Sequence, residues 1–227
     1  MIQAIRRQGR IIYDSFFCKN IDTKTTLGGE NGGDAWTFVA RFLNSSSVVY
    51  SGGVGKDISF ELELAKQFKL AIYLYDPSPT GIETIKKLGS LPEKVSFFPL
   101  GLYKENGTFS FDNPFWEGEG SFILNQTSQN TLNSFVCQNI ATCMKNNGHT
   151  KIDLLKIDIE GAEYGVVEEI MEKNIAIDQI CVEIHTFEPF SRAKRQELVK
   201  KLENFGYLLF HKKGADFSFI KKSLLIN

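Results

Sequence analysis

Strand-like and helical runs alternate from residue 47 onward, and this alternation restricts the fold more than any other feature of the chain. Val48-Val49-Tyr50, a β-branched and aromatic run, stops at Gly52-Gly53, and Ile58, Leu62, Ala65 and Phe68 then recur on one helical face. Ala71-Ile72-Tyr73-Leu74-Tyr75 stops at Asp76-Pro77-Ser78-Pro79, before a helix near 80–88 and the run Val95-Ser96-Phe97-Phe98. Residues 152–158 form another strand-like run, with Ala162, Val166, Val167, Ile170 and Met171 at helical spacing behind it. Residues 179–184 form the next, and Leu198, Leu202 and Phe205 mark a last helix ended by Gly206. Strands joined through helices pair in parallel by right-handed crossovers and are covered on both faces. The expected architecture is α/β: a Rossmann-like, doubly wound, mostly parallel sheet of about seven strands. Tyr207-Leu208-Leu209-Phe210 and Phe217-Ser218-Phe219-Ile220 have only a short loop between them, which predicts an antiparallel hairpin at the C-terminal edge.

Residues 1–45 read differently. They hold an apolar run, Ile11-Ile12-Tyr13, then a Gly-rich turn from Gly28 to Asp34, then Trp36-Thr37-Phe38-Val39. We take 1–45 as a lead-in segment packed on a single domain spanning 46–227. Asn106-Gly107 lies between Leu102-Tyr103 and Thr108-Phe109-Ser110-Phe111 and predicts a β-hairpin over 101–112. Residues 112–130, polar and rich in Gly and Asn, predict an excursion loop. Leu132, Phe135, Val136, Ile140 and Cys143 predict a helix stopped by Gly148.

Composition removes several function classes. Lys and Arg number 26 against 27 Asp and Glu, for a net charge of −1, so the clustered cations of a nucleic-acid binder are not expected. No apolar run reaches the roughly 18 residues of a spanning helix, so no membrane partner is expected either. The N-terminus lacks a signal-peptide pattern, and Cys18, Cys137, Cys143 and Cys181 form no Cys-x-x-Cys pair. They read as free thiols of a cytoplasmic protein.

In an open α/β sheet, ligands bind beyond the C-terminal ends of the strands, at the point where strand order reverses. Four groups of residues follow strands here. The first is Ser51-Gly52-Gly53-Val54-Gly55-Lys56-Asp57, where Gly52, Gly53 and Gly55 let a nucleotide cofactor approach the backbone. The plainer reading is a tight turn with no ligand. The second is Asp76, 23 residues after Gly53, at the place of an acid that accepts both hydroxyls of an adenosine ribose. It also starts a turn before Pro77. The third is the carboxylate cluster Asp158, Glu160 and Glu163 at a strand-to-helix junction. Helix N-termini favour acids, which accounts for Glu163 and Glu160 better than for Asp158. The fourth is Glu183 and His185, which alternation places on the same side of the next strand tip; His185 reads equally as a general base or a surface strand cap.

At this point the chain resembles a known family. The run Lys156-Ile157-Asp158-Ile159-Glu160-Gly161-Ala162-Glu163 is similar to the signature of FkbM-type methyltransferases, a group within the class I superfamily that uses S-adenosylmethionine. The segments Ser51–Glu61, Tyr75-Asp76-Pro77, Leu100-Gly101-Leu102 and Val182-Glu183-Ile184-His185 support it, as does the Gly28–Trp36 stretch. The resemblance implies S-adenosylmethionine as cofactor, held by Ser51, Gly52, Gly53, Gly55, Asp57, Asp76 and Asp158. It implies O-methylation of a hydroxyl on a small molecule or carbohydrate. His185 is then the candidate base, Asp158 its alternative, and Glu160 and Glu183 orient these groups or the acceptor. Many relatives carry an acid where Ser51 stands, so the grip on the methionine ammonium passes to Asp57 or Asp158. Asp158, Glu183 and His185 also offer ligands for Mg²⁺ or Mn²⁺, although no spacing demands a metal. Two other readings stay open. A non-catalytic methyltransferase-like domain would keep Asp76 and tolerate loss of His185. A nicotinamide-dependent oxidoreductase would need a third glycine where Asp57 and Ile58 stand.

Overall fold

The computed structural model describes residues 21, 23–29, 35–112, 122–124, 133–187 and 189–226. Ile11–Tyr13, Cys18, most of the Gly28–Asp34 turn and most of the 112–130 loop lie outside the described residues.

Seven strands form the central sheet: β3 (Val48–Gly52), β4 (Ala71–Tyr75), β5 (Val95–Phe98), β10 (Ile152–Ile157), β11 (Ile177–Glu183), β12 (Tyr207–Lys213) and β13 (Asp216–Lys221). Their order is β12-β13-β11-β10-β3-β4-β5. The five strands from β11 to β5 pair in parallel, whereas β13 runs antiparallel to β11 and to β12. The doubly wound sheet with an antiparallel C-terminal edge is therefore present. The chain builds β3, β4 and β5 to one side and then returns to lay β10 and β11 on the other. That reversal opens a crevice between the C-terminal ends of β3 and β10. There Ile157 is in register with Gly52, and the Asp158 amide donates to the Gly52 carbonyl at 3.0 Å.

Among the described residues, five α-helices cover the sheet: α1 (Ser59–Phe68), α2 (Pro79–Lys87), α3 (Ile140–Asn147), α4 (Glu163–Glu172) and α5 (Arg192–Asn204). Local chemistry sets several of their ends. Ser78 caps α2 by accepting from the Gly81 amide, with Pro79 at the first position. Asn139 caps α3, and Gly148 ends it in the left-handed conformation, as expected from the sequence. Val166, Val167 and Ile170 of α4, with Ala162 just before it, are buried as their spacing predicts, and Met171 is half-buried beside them. The deep face of α1 is rotated from the expected one: Phe60, Glu61 and Leu64 are buried, while Leu62, Ala65 and Phe68 lie at its flank. The reason is Glu61, a charged residue that hydropathy assigns to solvent.

A second sheet, ordered β6-β9-β7-β8, contains β6 (Gly101–Leu102), β7 (Gly107–Asp112), β8 (Ile123–Leu124) and β9 (Ser134–Gln138). It corrects two expectations. Residues 101–112 are not a hairpin, because β9 lies between β6 and β7 and pairs with both. Asn106 is used instead to tie this segment to α3, accepting from the Asn139 amide and donating to Thr142 Oγ1, each at 2.9 Å. The helix expected over 132–143 starts only at Ile140; Ser134–Gln138 is a strand that turns Cys137 inward and leaves Val136 exposed. The thiols of Cys137, Cys143 and Cys181 are free and buried.

The remaining pair, β1 (Lys24–Gly28) and β2 (Ala35–Val39), is antiparallel. Trp36 and Phe38 of β2 enter the core beside α1, and Gln179 of β11 bonds both the amide and the carbonyl of Val39. Among the described residues, no helix is long and apolar enough to cross a membrane.

Candidate active site

A cavity of about 500 Å³ lies at the reversal point, within the size range of small-ligand sites. Of the residues expected there, Gly53, Gly55, Asp57, Asp76, Asp158 and Glu160 line it. Ser51, Gly52, Glu183 and His185 do not. Glu61 and Lys156 line it without having been expected, Trp36 does so from the end of the Gly28–Trp36 stretch, and Phe111, Phe122 and Phe135 of the second sheet and its approach form an aromatic wall.

The glycine turn is held from below. Asp76, at the end of β4, accepts from the amides of Val54 (2.8 Å) and Gly55 (2.9 Å) through Oδ2 and from Ser78 (2.7 Å) through Oδ1. A carboxylate has about four acceptor positions, so one remains for a ribose hydroxyl rather than the two the sequence implied. Gly53 takes φ +84, and a Cβ there would overlap the Asp158 carbonyl oxygen, so only glycine fits.

The methionine end differs from expectation too. Asp57 turns toward α1, accepting from the Ser59 amide (2.9 Å) and the Ser59 hydroxyl (3.0 Å). Ser51 is fully buried and donates its hydroxyl to Glu61 Oε1 at 2.5 Å. Lys156 projects from β10 and donates to the Gly53 carbonyl at 2.6 Å. Its Nζ stands 4.0 Å from Glu61 Oε1 and 5.2 Å from the Trp36 ring. A sequence signal for both existed: each is a charged residue between two apolar ones, Phe60 and Leu62 for Glu61, Leu155 and Ile157 for Lys156.

His185 sits behind Asp158, ringed by acids. Its backbone amide (2.8 Å) and Nδ1 (3.2 Å) both meet Glu163 Oε1, and the other Glu163 oxygen accepts from the Gly161 amide at 2.7 Å. Its Nε2 lies 3.1 Å from Glu160, 3.8 Å from Asp158 and 3.9 Å from Glu183. Glu160 makes its approach from φ +51, uncommon for a non-glycine residue. Burial opposes charge on His185, but the bond to Glu163 and the fields of Glu163, Glu160 and Asp158 outweigh it, raising the imidazole from 6.5 to about 10. At neutral pH it is an imidazolium. Asp158, Glu183 and His185 each offer an atom within 4.8 Å of the others, a spacing one divalent ion can bridge.

A doubly wound α/β sheet with a glycine turn, an acid after its second strand and a cavity at the reversal point defines a nucleotide-cofactor protein. Comparison with known proteins narrows this: residues 28–209 match the model of the methyltransferase FkbM domain, and the chain belongs to that family. Its cofactor is S-adenosylmethionine. No curated protein matches the sequence. Similar solved structures include the Methanococcus jannaschii fibrillarin pre-rRNA processing protein, at 10% identity over 79% of this chain and 68% of that one, with a TM-score of 0.46. An rRNA methylase from Streptococcus thermophilus shares 11% identity over 80% of this chain and 90% of that one, TM-score 0.44. The precorrin-6y C5,15-methyltransferase of Geobacter metallireducens shares 12% over 78% and 80%, TM-score 0.44. These likenesses are loose and decide nothing about the acceptor. The cavity fits the cofactor by its donor set: a carboxylate-bound glycine turn at one end and a buried acid and base at the other.

Proposed function

We propose that the chain methylates a hydroxyl of a small molecule or carbohydrate. The observation that carries this reading is the Asp158 carboxylate, which lines the cavity and is held from behind by the His185 imidazolium. When bound, S-adenosylmethionine supplies a methyl group already activated by its sulfonium. The chain must align the acceptor and take its proton as attack proceeds. An imidazolium has no lone pair to accept that proton. Asp158 is therefore the proposed base, reversing the order expected from the sequence, and His185 is a positioning residue. Glu160, also on the cavity wall, is the proposed acceptor for a second hydroxyl. The Phe111, Phe122 and Phe135 wall offers apolar surface to the ring face of a sugar while the carboxylates take its hydroxyls. The near-zero net charge is in keeping with an acceptor other than nucleic acid.

The test is methyl transfer, read by mass spectrometry, to a panel of sugars and small alcohols. Asp158→Asn is expected to lower turnover by about 10²–10⁴-fold while S-adenosylhomocysteine affinity stays within threefold. Full turnover in Asp158→Asn would remove it as the base. Transfer to RNA but to no hydroxylated small molecule would overturn the acceptor class.

A further inference from the structure

Glu61 and Lys156 are opposite charges that the fold buries side by side on the cavity wall. The side chain of Glu61 is 2% exposed and that of Lys156 6%, and both line the cavity. Ser51 holds one oxygen of Glu61, and the Gly53 carbonyl holds one N–H of Lys156. At 4.0 Å the two charged groups are too far apart to bond each other. Both groups therefore present their charge to the cavity rather than to each other. Buried charges are costly unless their hydrogen-bonding capacity is filled. The matching ligand carries an ammonium and a carboxylate a few bonds apart, which is the chemistry of an α-amino acid end.

We infer that Glu61 and Lys156 form a clamp for the zwitterionic methionine end of S-adenosylmethionine, Glu61 taking the ammonium and Lys156 the carboxylate. The inference rests on that cofactor reading. It also explains Ser51. The acid that many relatives carry on the strand is supplied here from α1, and the Ser51 hydroxyl fixes its position. Trp36, brought in on β2, lies over Lys156 and ties the segment before the main sheet to the same end of the cavity. Asp57, one of the two acids expected to grip the ammonium, is directed at Ser59 instead, and Asp158, the other, is the proposed base.

Isothermal calorimetry on the full chain tests the clamp with two probes. S-adenosylhomocysteine carries the amino acid end; 5′-methylthioadenosine keeps adenosine and sulfur but lacks it. Glu61→Gln and Lys156→Met are each expected to weaken S-adenosylhomocysteine at least tenfold and to leave 5′-methylthioadenosine within twofold. Equal losses for both probes would reduce the pair to a structural role, and no loss for either would overturn the clamp. If the variants fail to fold, the native chain is titrated with the S-adenosylhomocysteine analogue lacking only the α-amino group. A tenfold weaker affinity is expected, and equal affinity overturns the assignment to Glu61. A native chain that binds neither adenosine probe would instead refute the cofactor reading itself.

Discussion

The ring of acids around His185 predicts how stability depends on pH. Its pKa is 6.5 in the unfolded chain and about 10 when folded, because Glu163, Glu160 and Asp158 outweigh the cost of burial. The folded state therefore binds more protons between these values, and stability falls as pH rises. The contribution is complete below pH 6.5 and gone above about 10. The window from pH 7 to 8.5 isolates it. The other two histidines, His149 and His211, are held below their ordinary value, His149 by burial and His211 by burial and by Lys24 and Lys213. Their effect is spent once the unfolded imidazoles have lost their protons. The Cys137, Cys143 and Cys181 thiols, pushed up to about 12 by burial, also favour the folded state less as pH rises. That term is common to native and variant proteins and cancels in their difference.

One proton over 1.5 pH units corresponds to about 2 kcal/mol. Urea unfolding at pH 7.0 and 8.5 should show the native protein losing about 2 kcal/mol more than His185→Gln over that interval. The variant should also be weaker at both pH values, since its four acids lose their cation. NMR gives a direct reading, because the chain has only three histidines. The His185 ring signals should not titrate between pH 6 and 8.5. A midpoint near 6.5, or parallel stability curves for the two proteins, would refute the imidazolium and return His185 to the role of base.

Asp76→Asn should weaken S-adenosylhomocysteine about tenfold or more, given roughly 1.5–3 kcal/mol for a hydrogen bond to a charged group. It should also speed amide exchange at Val54 and Gly55; unchanged affinity and exchange would show that the carboxylate does not organise the turn. Gly53→Ala should cost more than about 2 kcal/mol in urea unfolding, from the left-handed backbone and the overlap with the Asp158 carbonyl. Glu169 is buried and accepts from the Ile140 amide at 2.8 Å and the Ala141 amide at 3.1 Å, so Glu169→Gln should destabilise by about 1–3 kcal/mol. A near-native midpoint in either variant would contradict its geometry. Exhaustive chelation tests the Asp158, Glu183 and His185 cluster: surviving turnover is the expected outcome for a base that works without an ion, and loss reversed by Mg²⁺ or Mn²⁺ would instead assign an ion there.

The parts of this molecule that could be read from the chain are those fixed by local pattern. Buried parallel strands are apolar nearly throughout, and β3, β4, β10 and β11 stand close to where Val48–Tyr50, Ala71–Tyr75, Ile152–Asp158 and Gln179–Ile184 placed them. Non-local pairing was not readable. Phe135, Val136, Ile140 and Cys143 satisfy helical spacing, yet Phe135 and Val136 belong to a strand because β6 and β7 flank it, and neither neighbour leaves a mark in that segment. The site shows the same division. Strand ends pointed to Asp76 and Asp158, which line the cavity, and to His185, which does not, but hydropathy sends every charge to the surface, so Glu61 and Lys156 went unread. Glu163 was read as an acid that favours a helix N-terminus. It is 0% exposed and holds both the amide and the ring of His185. That single placement changes the proposed chemistry: a histidine on a surface strand tip could act as a base, whereas one pinned by a buried glutamate is raised to about 10, which is why the proposed base is Asp158.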